Sequence, residues 1–289
     1  MIPWSEHKER IEKIRKKLSK SRLAALYLTS PTRILYATGF SHISTERPLA
    51  IVIPRDGPVF MLGPHLELDH VQQASPLIEE TYTYPDYPGS QHPIRYFAKT
   101  LTNKGFGSSR IGTDSFVGAA GGWGYRGPAL SDVMSDAKFV DARNIIDDMR
   151  LMKSSQELRL LRESARWADI GHEILLENVR PDTHDSLIGV KASLETADRL
   201  LKKLGRQYSQ LKWALSPVIV GFRGQVGPES CIPHAVFSKR KIHRGDVLVT
   251  EAGSIQREES LARGRSQRVP AFVKKGLGVV LRRAGASLL

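Results

Sequence analysis

Two side chains stand where this sequence could do proton-transfer or metal chemistry. His234 follows Pro233 in the run Pro228-Glu-Ser-Cys-Ile-Pro-His-Ala235. An imidazole titrating near neutral pH suits a general acid or base, and a surface or loop histidine is the plainer alternative. Glu251 comes directly after the short apolar run Val247-Leu-Val-Thr250. A carboxylate at that point can ligate a hard divalent cation, or it can be a solvated acid at a strand end. Other constellations have simpler explanations. His65-Leu-Glu67-Leu-Asp69-His70 brings two imidazoles and two carboxylates close in sequence, at a spacing that describes a polar helix face. Gly118–Gly124 is glycine-rich but lacks the Gly-Lys-Ser/Thr of a phosphate cradle, so a loop is expected. No Gly-x-Ser-x-Gly elbow occurs, which leaves serine-hydrolase chemistry without support. Cys231 is conceivable as a thiol nucleophile, although a small core residue fits it better. As the single cysteine it excludes an internal disulfide and a cysteine-rich metal site.

The elements that must position these residues fall into two parts. Glu6 to Lys20 carries Ile11, Ile14 and Leu18 at helical spacing among basic residues, an amphipathic surface helix. Leu23-Ala-Ala-Leu-Tyr-Leu28 reads as a buried strand stopped by Ser30-Pro31. Leu49–Ile53 and Val59–Leu62 flank the turn residues Pro54-Arg-Asp-Gly57, a hairpin signal. Tyr82 to His92 reads as loop, Arg95 to Leu101 as helix, Ser109 to Thr113 and Lys138 to Val140 as strands, and Gly118 to Gly127 as loop. Strands alternating with helices predict an α/β domain over residues 1–147. The pattern then changes. Ser154-Ser-Gln-Glu157 has capping-box form, opening a helix with Leu158, Leu161, Ala165, Ala168 and Leu175 on a common side until Arg180-Pro181. A second helix is expected from His184 to Leu204, closed by Gly205. Strands are expected over Trp213–Gly221 and, after the Arg244-Gly-Asp246 turn, over Val247–Thr250.

With 289 residues, 40% of them hydrophobic and 25% charged, the chain can bury a sizeable core as one or two domains. The formal net charge of +13 is uneven. Residues 254–289 hold eight Lys/Arg against two acids, so much of the excess belongs to a basic tail. Its arginines are accompanied by one aromatic, Phe272, which is no stacking platform for bases, so nucleic acid is not an expected partner. Met1 to Lys20 is charged and amphipathic, unlike a signal peptide, and no run of eighteen apolar residues occurs, so no membrane association and a cytoplasmic location are expected.

The order of these segments resembles the creatinase/prolidase/aminopeptidase P hydrolases, the pita-bread family. Met149-Arg-Leu-Met-Lys153-Ser-Ser-Gln-Glu157-Leu is similar to the family's entry helix, and Tyr36-Ala-Thr-Gly39-Phe40 to a segment of its accessory domain. Pro233-His234 and Gly245-Asp246-x-Leu248-Val249 are similar to its next blocks. The resemblance runs from Met1 to about Gly253. It implies an α/β N-terminal domain of the creatinase/prolidase type, then an incomplete α+β pita-bread domain over 148–253, then a tail, 254–289, without counterpart. For the family's Xaa-Pro peptidases it implies two divalent ions, manganese, cobalt or zinc, held by two Asp, one His and two Glu. It places His234 in the cleft as a catalytic and substrate-binding residue, and Glu251 at the position of the first metal-binding aspartate. Glutamate is one methylene longer, and four of the five ligands lack a counterpart. A shifted or truncated reading frame would produce that loss, so this chain is expected to be inactive. A true basic tail and a diverged second half are the alternatives. The implied substrate is a Xaa-Pro peptide or another small amide or amidine, and the implied assembly a homodimer. A metal-free, creatinase-like hydrolase and a non-catalytic interaction protein are the competing functions.

Overall fold

The computed structural model describes residues 2–86, 89–116, 127–208, 216–222, 224–233, 235 and 240–254, together with the backbone of three short strands beyond. It divides into two compact units, Ile2–Ser154 and the residues from Ser155 onward.

In the first unit, six strands form one mixed sheet in the order β4-β3-β2-β1-β5-β6. They are β1 (Ala25–Leu28), β2 (Ala50–Pro54), β3 (Phe60–Pro64), β4 (Glu80–Tyr84), β5 (Arg110–Thr113) and β6 (Lys138–Asp141). The expected hairpin is the antiparallel pair β2–β3, with Val52 opposite Phe60. β1 is antiparallel to β2 but parallel to β5. Both faces are covered, which is why β1 and β2 read as unbroken apolar runs rather than alternating ones. Leu26, Leu28, Ile51 and Ile53 pack with Ile11, Ile14 and Leu18 of α1 (Trp4–Lys20). Val71 of α3 (Leu68–Ala74) joins that cluster, and on the other face Tyr27, Val52 and Phe60 pack with Ile94, Phe97 and Leu101 of α4 (Pro93–Asn103) and with Leu130 of α5 (Leu130–Val133).

Three expectations for this unit are corrected. Ser30-Pro31 ends a strand and also begins α2 (Pro31–Thr38), because a proline at the first helical position has no N–H to leave orphaned. The stretch expected as loop from Tyr82 is strand β4 through Tyr84, where paired backbone along β3 outweighs the local Tyr/Pro/Gly composition. Asp147, the expected boundary, lies inside α6 (Asn144–Leu151). Most of the glycine-rich stretch Gly118–Gly127 lies outside the described residues. The Tyr36–Phe40 motif has a packing cause. Gly39 closes α2 at φ 71°, and a Cβ there would sit 2.7 Å from the Trp4 ring.

The second unit is two helices on a small sheet. α7 (Ser155–Asn178) and α8 (Asp185–Leu204) run much as expected, with Gly205 at the end of α8 in positive φ. The buried side of α7 differs from the expected one. Leu158 and Ala165 are exposed, while Leu160, Ser164, Trp167, Ala168, Gly171, Ile174 and Leu175 are buried. The true stripe is rotated because it tolerates Ser164, Gly171 and His172, which an apolar count passes over. β7 (Val218–Gly221) and β8 (Val249–Ser254) pair antiparallel, and the short backbone strand β9 (Gln267–Arg268) pairs with β8. Two further strands, β10 (Phe272–Lys274) and β11 (Leu277–Val279), form a separate hairpin within the tail. Among the described residues no helix is long and apolar enough to cross a membrane.

Candidate functional site

The register of β7 and β8 sorts their side chains onto two faces. Val218 pairs with Ser254 and Val220 with Ala252, and all four are buried. Val220 and Ala252 join Ala168, Leu175, Ile188 and Ala192 of α7 and α8 in one core. The alternate positions, Ile219 opposite Gly253 and Gly221 opposite Glu251, therefore lie on the face away from that core. Ile219 is 59% exposed there. Glu251 is half-buried, and its neighbour across the ladder, Gly221, brings no side chain. Here too an expectation changes. The strand does not stop at Thr250; Glu251 sits within β8, so alternation aims its carboxylate at the open face.

α8 is held close to β7 by small residues. A Cβ on Gly189 would lie 3.2 Å from the Val220 carbonyl oxygen. One turn on, the Ser193 hydroxyl accepts from the Val220 N–H at 2.9 Å and lies 2.8 Å from the Gly189 carbonyl. The outer edge of β7 is thus satisfied by a side chain rather than by another strand.

Sequence reasoning passed over His172. It is buried on α7, and its Nδ1 is hydrogen-bonded to Thr250 Oγ1 at 3.1 Å, tying the helix to the residue before Glu251. The signal was a lone histidine on an otherwise apolar stripe, whose ring needs a buried partner. Thr250→Val removes that hydroxyl at nearly constant volume. The expected result is a loss of about 1–2 kcal/mol in urea denaturation, because a ring nitrogen stays buried without this partner.

The stretch around His234 has well-tied flanks. Arg240 Nη2 donates to Asp246 Oδ1 at 3.2 Å and Nη1 to Glu229 Oε2 at 3.4 Å, while Asp246 Oδ2 accepts from the His243 N–H at 2.7 Å. Gly227, at φ 61°, fits beneath this cluster, where a Cβ would lie 2.7 Å from both Arg240 Nη2 and Asp246 Oδ1. His234 itself lies outside the described residues. Cys231 is exposed rather than a core residue, and its Sγ donates to the Pro228 carbonyl at 3.2 Å.

The divalent ions that the resemblance implies do not fit the described residues. Asp246 is engaged by Arg240 and His243, His172 is hydrogen-bonded to Thr250 beneath β8, and Glu251 is a single carboxylate. No group of three or more His, Cys, Asp or Glu among the described residues could hold a metal ion. The His65–His70 stretch behaves as a helix face. His70 Nδ1 contacts Glu67 Oε2 at 2.7 Å, and His65 Nδ1 is 3.2 Å from Thr83 Oγ1.

The described architecture is a six-stranded α/β unit followed by two helices on an antiparallel sheet with an open face. The family model of the creatinase/prolidase N-terminal domain matches residues 10–152. A creatinase of a Bacillus species is 23% identical over 244 residues, covering 84% of this chain and 55% of its own. An uncharacterized peptidase of Bacillus subtilis is 25% identical over 245 residues, covering 85% and 61%. Among solved structures, a Xaa-Pro dipeptidase from Bacillus anthracis aligns with TM-score 0.61 at 18% identity, over 86% of this chain and 61% of that one. The prolidase from Pyrococcus horikoshii aligns with the same score and coverage at 20% identity. Residues 10–152 are a creatinase/prolidase N-terminal domain, and the chain's homologues include a creatinase and peptidases. A pita-bread-like portion follows that domain, and the chain spans 55–61% of the length of these relatives.

Proposed function

We propose that the whole protein is a Xaa-Pro-directed metallohydrolase, acting in the cytoplasm as a homodimer, and that residues 1–289 by themselves do not catalyse. The observation that carries this is the placement of Glu251. A carboxylate stands on the open face of β8, opposite a glycine, in a chain whose fold is that of prolidases and Xaa-Pro dipeptidases. The two-metal chemistry of such enzymes needs several carboxylates and an imidazole around one point. The described residues bring one, so the full centre requires ligands beyond them. His234 is the proposed cleft histidine that contacts substrate, and Glu251 the proposed metal ligand.

Two observations favour a second possibility. A creatinase is among the relatives, and glutamate replaces the expected aspartate at position 251. A metal-free hydrolase of a small amidine compound would fit those two facts. Incubating the chain with a Xaa-Pro dipeptide or with a small amidine compound, each with manganese, cobalt or zinc and with and without a chelator, separates the cases. The proposal expects no turnover in any arm. Turnover of the amidine compound that survives chelation would establish the metal-free alternative instead.

A further inference from the structure

The N-terminal unit carries a groove that the hydrolase reading does not use. It lies near the β6 edge of the sheet, between the end of α1 and the start of α6, with a volume of about 340 Å³. That is enough for a small organic ligand. Leu23, Val140, Ala142 and Ile145 give it an apolar floor, and Lys17, Lys20 and Arg110 give it a basic rim.

The strand register accounts for the charge. Gly112 lies on the α1 face of the sheet, where a Cβ would sit 2.8 Å from the Ala142 Cβ and 3.1 Å from Leu23. Arg110, two residues earlier in β5, shares that face. β5 and β6 are parallel with Arg110 paired to Lys138, so Lys138 projects beside it. Val140, two residues after Lys138, packs into the cluster that holds Ile14 and Leu18 of α1, as that register requires. Lys20 reaches the same end of the sheet, because the Ala24 N–H, four residues on, donates to the Arg110 carbonyl at 2.8 Å. Like charges side by side on neighbouring strands repel. Among the described residues Lys20, Arg110 and Lys138 have no ion pair. Asp141, the carboxylate lining the groove, is already engaged by Arg143, whose Nε donates to its Oδ1 at 3.0 Å and Nη2 to its Oδ2 at 2.5 Å. Lys17 Nζ donates to the Ile145 carbonyl at 3.2 Å, which holds a further ammonium at the wall.

We propose that this groove binds a small phosphate monoester, with the phosphate among Lys20, Arg110 and Lys138 and the apolar body over Val140 and Ile145. Several uncompensated cations call for a multiply charged anion, and the guanidinium fork of Arg110 matches phosphate oxygens. A monocarboxylate would leave most of that charge unanswered, and inorganic phosphate would leave the apolar floor wet. A phospholipid headgroup offers the same phosphate chemistry, but the apolar surface here is the floor of a recess, which suits a soluble ligand. All of these residues belong to Ile2–Ser154, so the inference is independent of the peptidase assignment.

Calorimetric titration of the full chain with phenyl phosphate at low ionic strength tests it. One site per chain is expected, with inorganic phosphate bound about tenfold more weakly because it covers none of the floor. Arg110→Gln and Lys20→Gln should each weaken phenyl phosphate binding about tenfold with unchanged circular dichroism, since both side chains are exposed. Lys8→Gln, in the first turns of α1, should leave binding unchanged. No binding of phenyl phosphate, inorganic phosphate bound as tightly as the ester, or equal losses in Lys8→Gln and Arg110→Gln would overturn the site. Co-sedimentation with phosphatidylserine vesicles by a chain that ignores phenyl phosphate would assign the basic rim to a lipid surface and overturn it as well.

Discussion

Replacing Asp114 by alanine lowers the stability of the N-terminal unit by about 3–5 kcal/mol. Asp114 follows β5 and is 7% exposed. Its Oδ1 accepts from the Thr29 N–H at 2.9 Å and from the Thr29 hydroxyl at 3.0 Å, and its Oδ2 accepts from the Ser30 N–H at 2.9 Å. These donors lie where β1 ends and α2 begins, and the side chain of Ser30 makes no cap of its own. The carboxylate therefore performs the capping from a neighbouring strand and faces the positive end of the helix dipole. Arg33 in the first turn of α2 approaches it at 3.9 Å and pairs with Asp147 of α6 through two bonds, of 2.9 and 2.6 Å. That pairing holds the Arg33 guanidinium above its ordinary pKa. Alanine would leave Thr29 and Ser30 N–H groups without an acceptor in a mostly dry junction. Asparagine keeps one acceptor oxygen and should cost about half as much. Urea denaturation followed by hydrogen exchange of the β1 and α2 amides reads both values, and an alanine variant within about 1 kcal/mol of wild type would refute the capping role.

The second large effect is with pH. His42 is 2% exposed, its ring stacked at 5.5 Å on Phe40, with His70 on the same phenyl ring at 4.9 Å. Burial pushes its pKa down to about 4, with nearby Glu67 opposing and His70 reinforcing the shift. In the unfolded chain the same imidazole titrates near 6.5. Between those values the unfolded state takes up a proton that the folded state refuses, so stability rises with pH across that window. Acidification from about pH 6.5 to about pH 4 should therefore cost about 3 kcal/mol from this residue alone, and above pH 6.5 it should contribute no slope. His42→Leu keeps the ring's neighbours packed and cannot titrate. Its stability should fall less over the same interval, by that difference, in thermal or urea unfolding at matched ionic strength. Parallel pH profiles for wild type and variant would mean that His42 is not buried as a neutral ring.

Much of the fold is legible in the residues because packing and local chemistry agree. The apolar runs at Leu23–Leu28 and Leu49–Ile53 are central strands covered on both sides, and Pro54-Arg-Asp-Gly57 turns one into the next. Gly205 closes α8 where a C-terminal glycine is expected. The misreadings share a cause, namely partners distant in sequence. α2 is short, and its N-terminal cap comes from Asp114, 84 residues after Ser30. β4 has half-buried tyrosines and threonines whose strand state depends on pairing with β3. The buried side of α7 includes Ser164 and His172, and the latter's need for Thr250 cannot be seen until β8 is laid beside the helix. For Glu251, its place beside an apolar run is legible in the sequence, while its orientation on the sheet is not. That depends on β8 continuing to Ser254 and on the pairing of Glu251 with Gly221.

The most direct test of the central claim is a calorimetric manganese titration of residues 1–289, run beside a Xaa-Pro dipeptide hydrolysis assay on the same preparation. One carboxylate on an open sheet face predicts no stoichiometric metal binding and no turnover. Tight binding of two ions per chain, with hydrolysis abolished by a chelator, would mean that a complete centre is already present and would contradict the account.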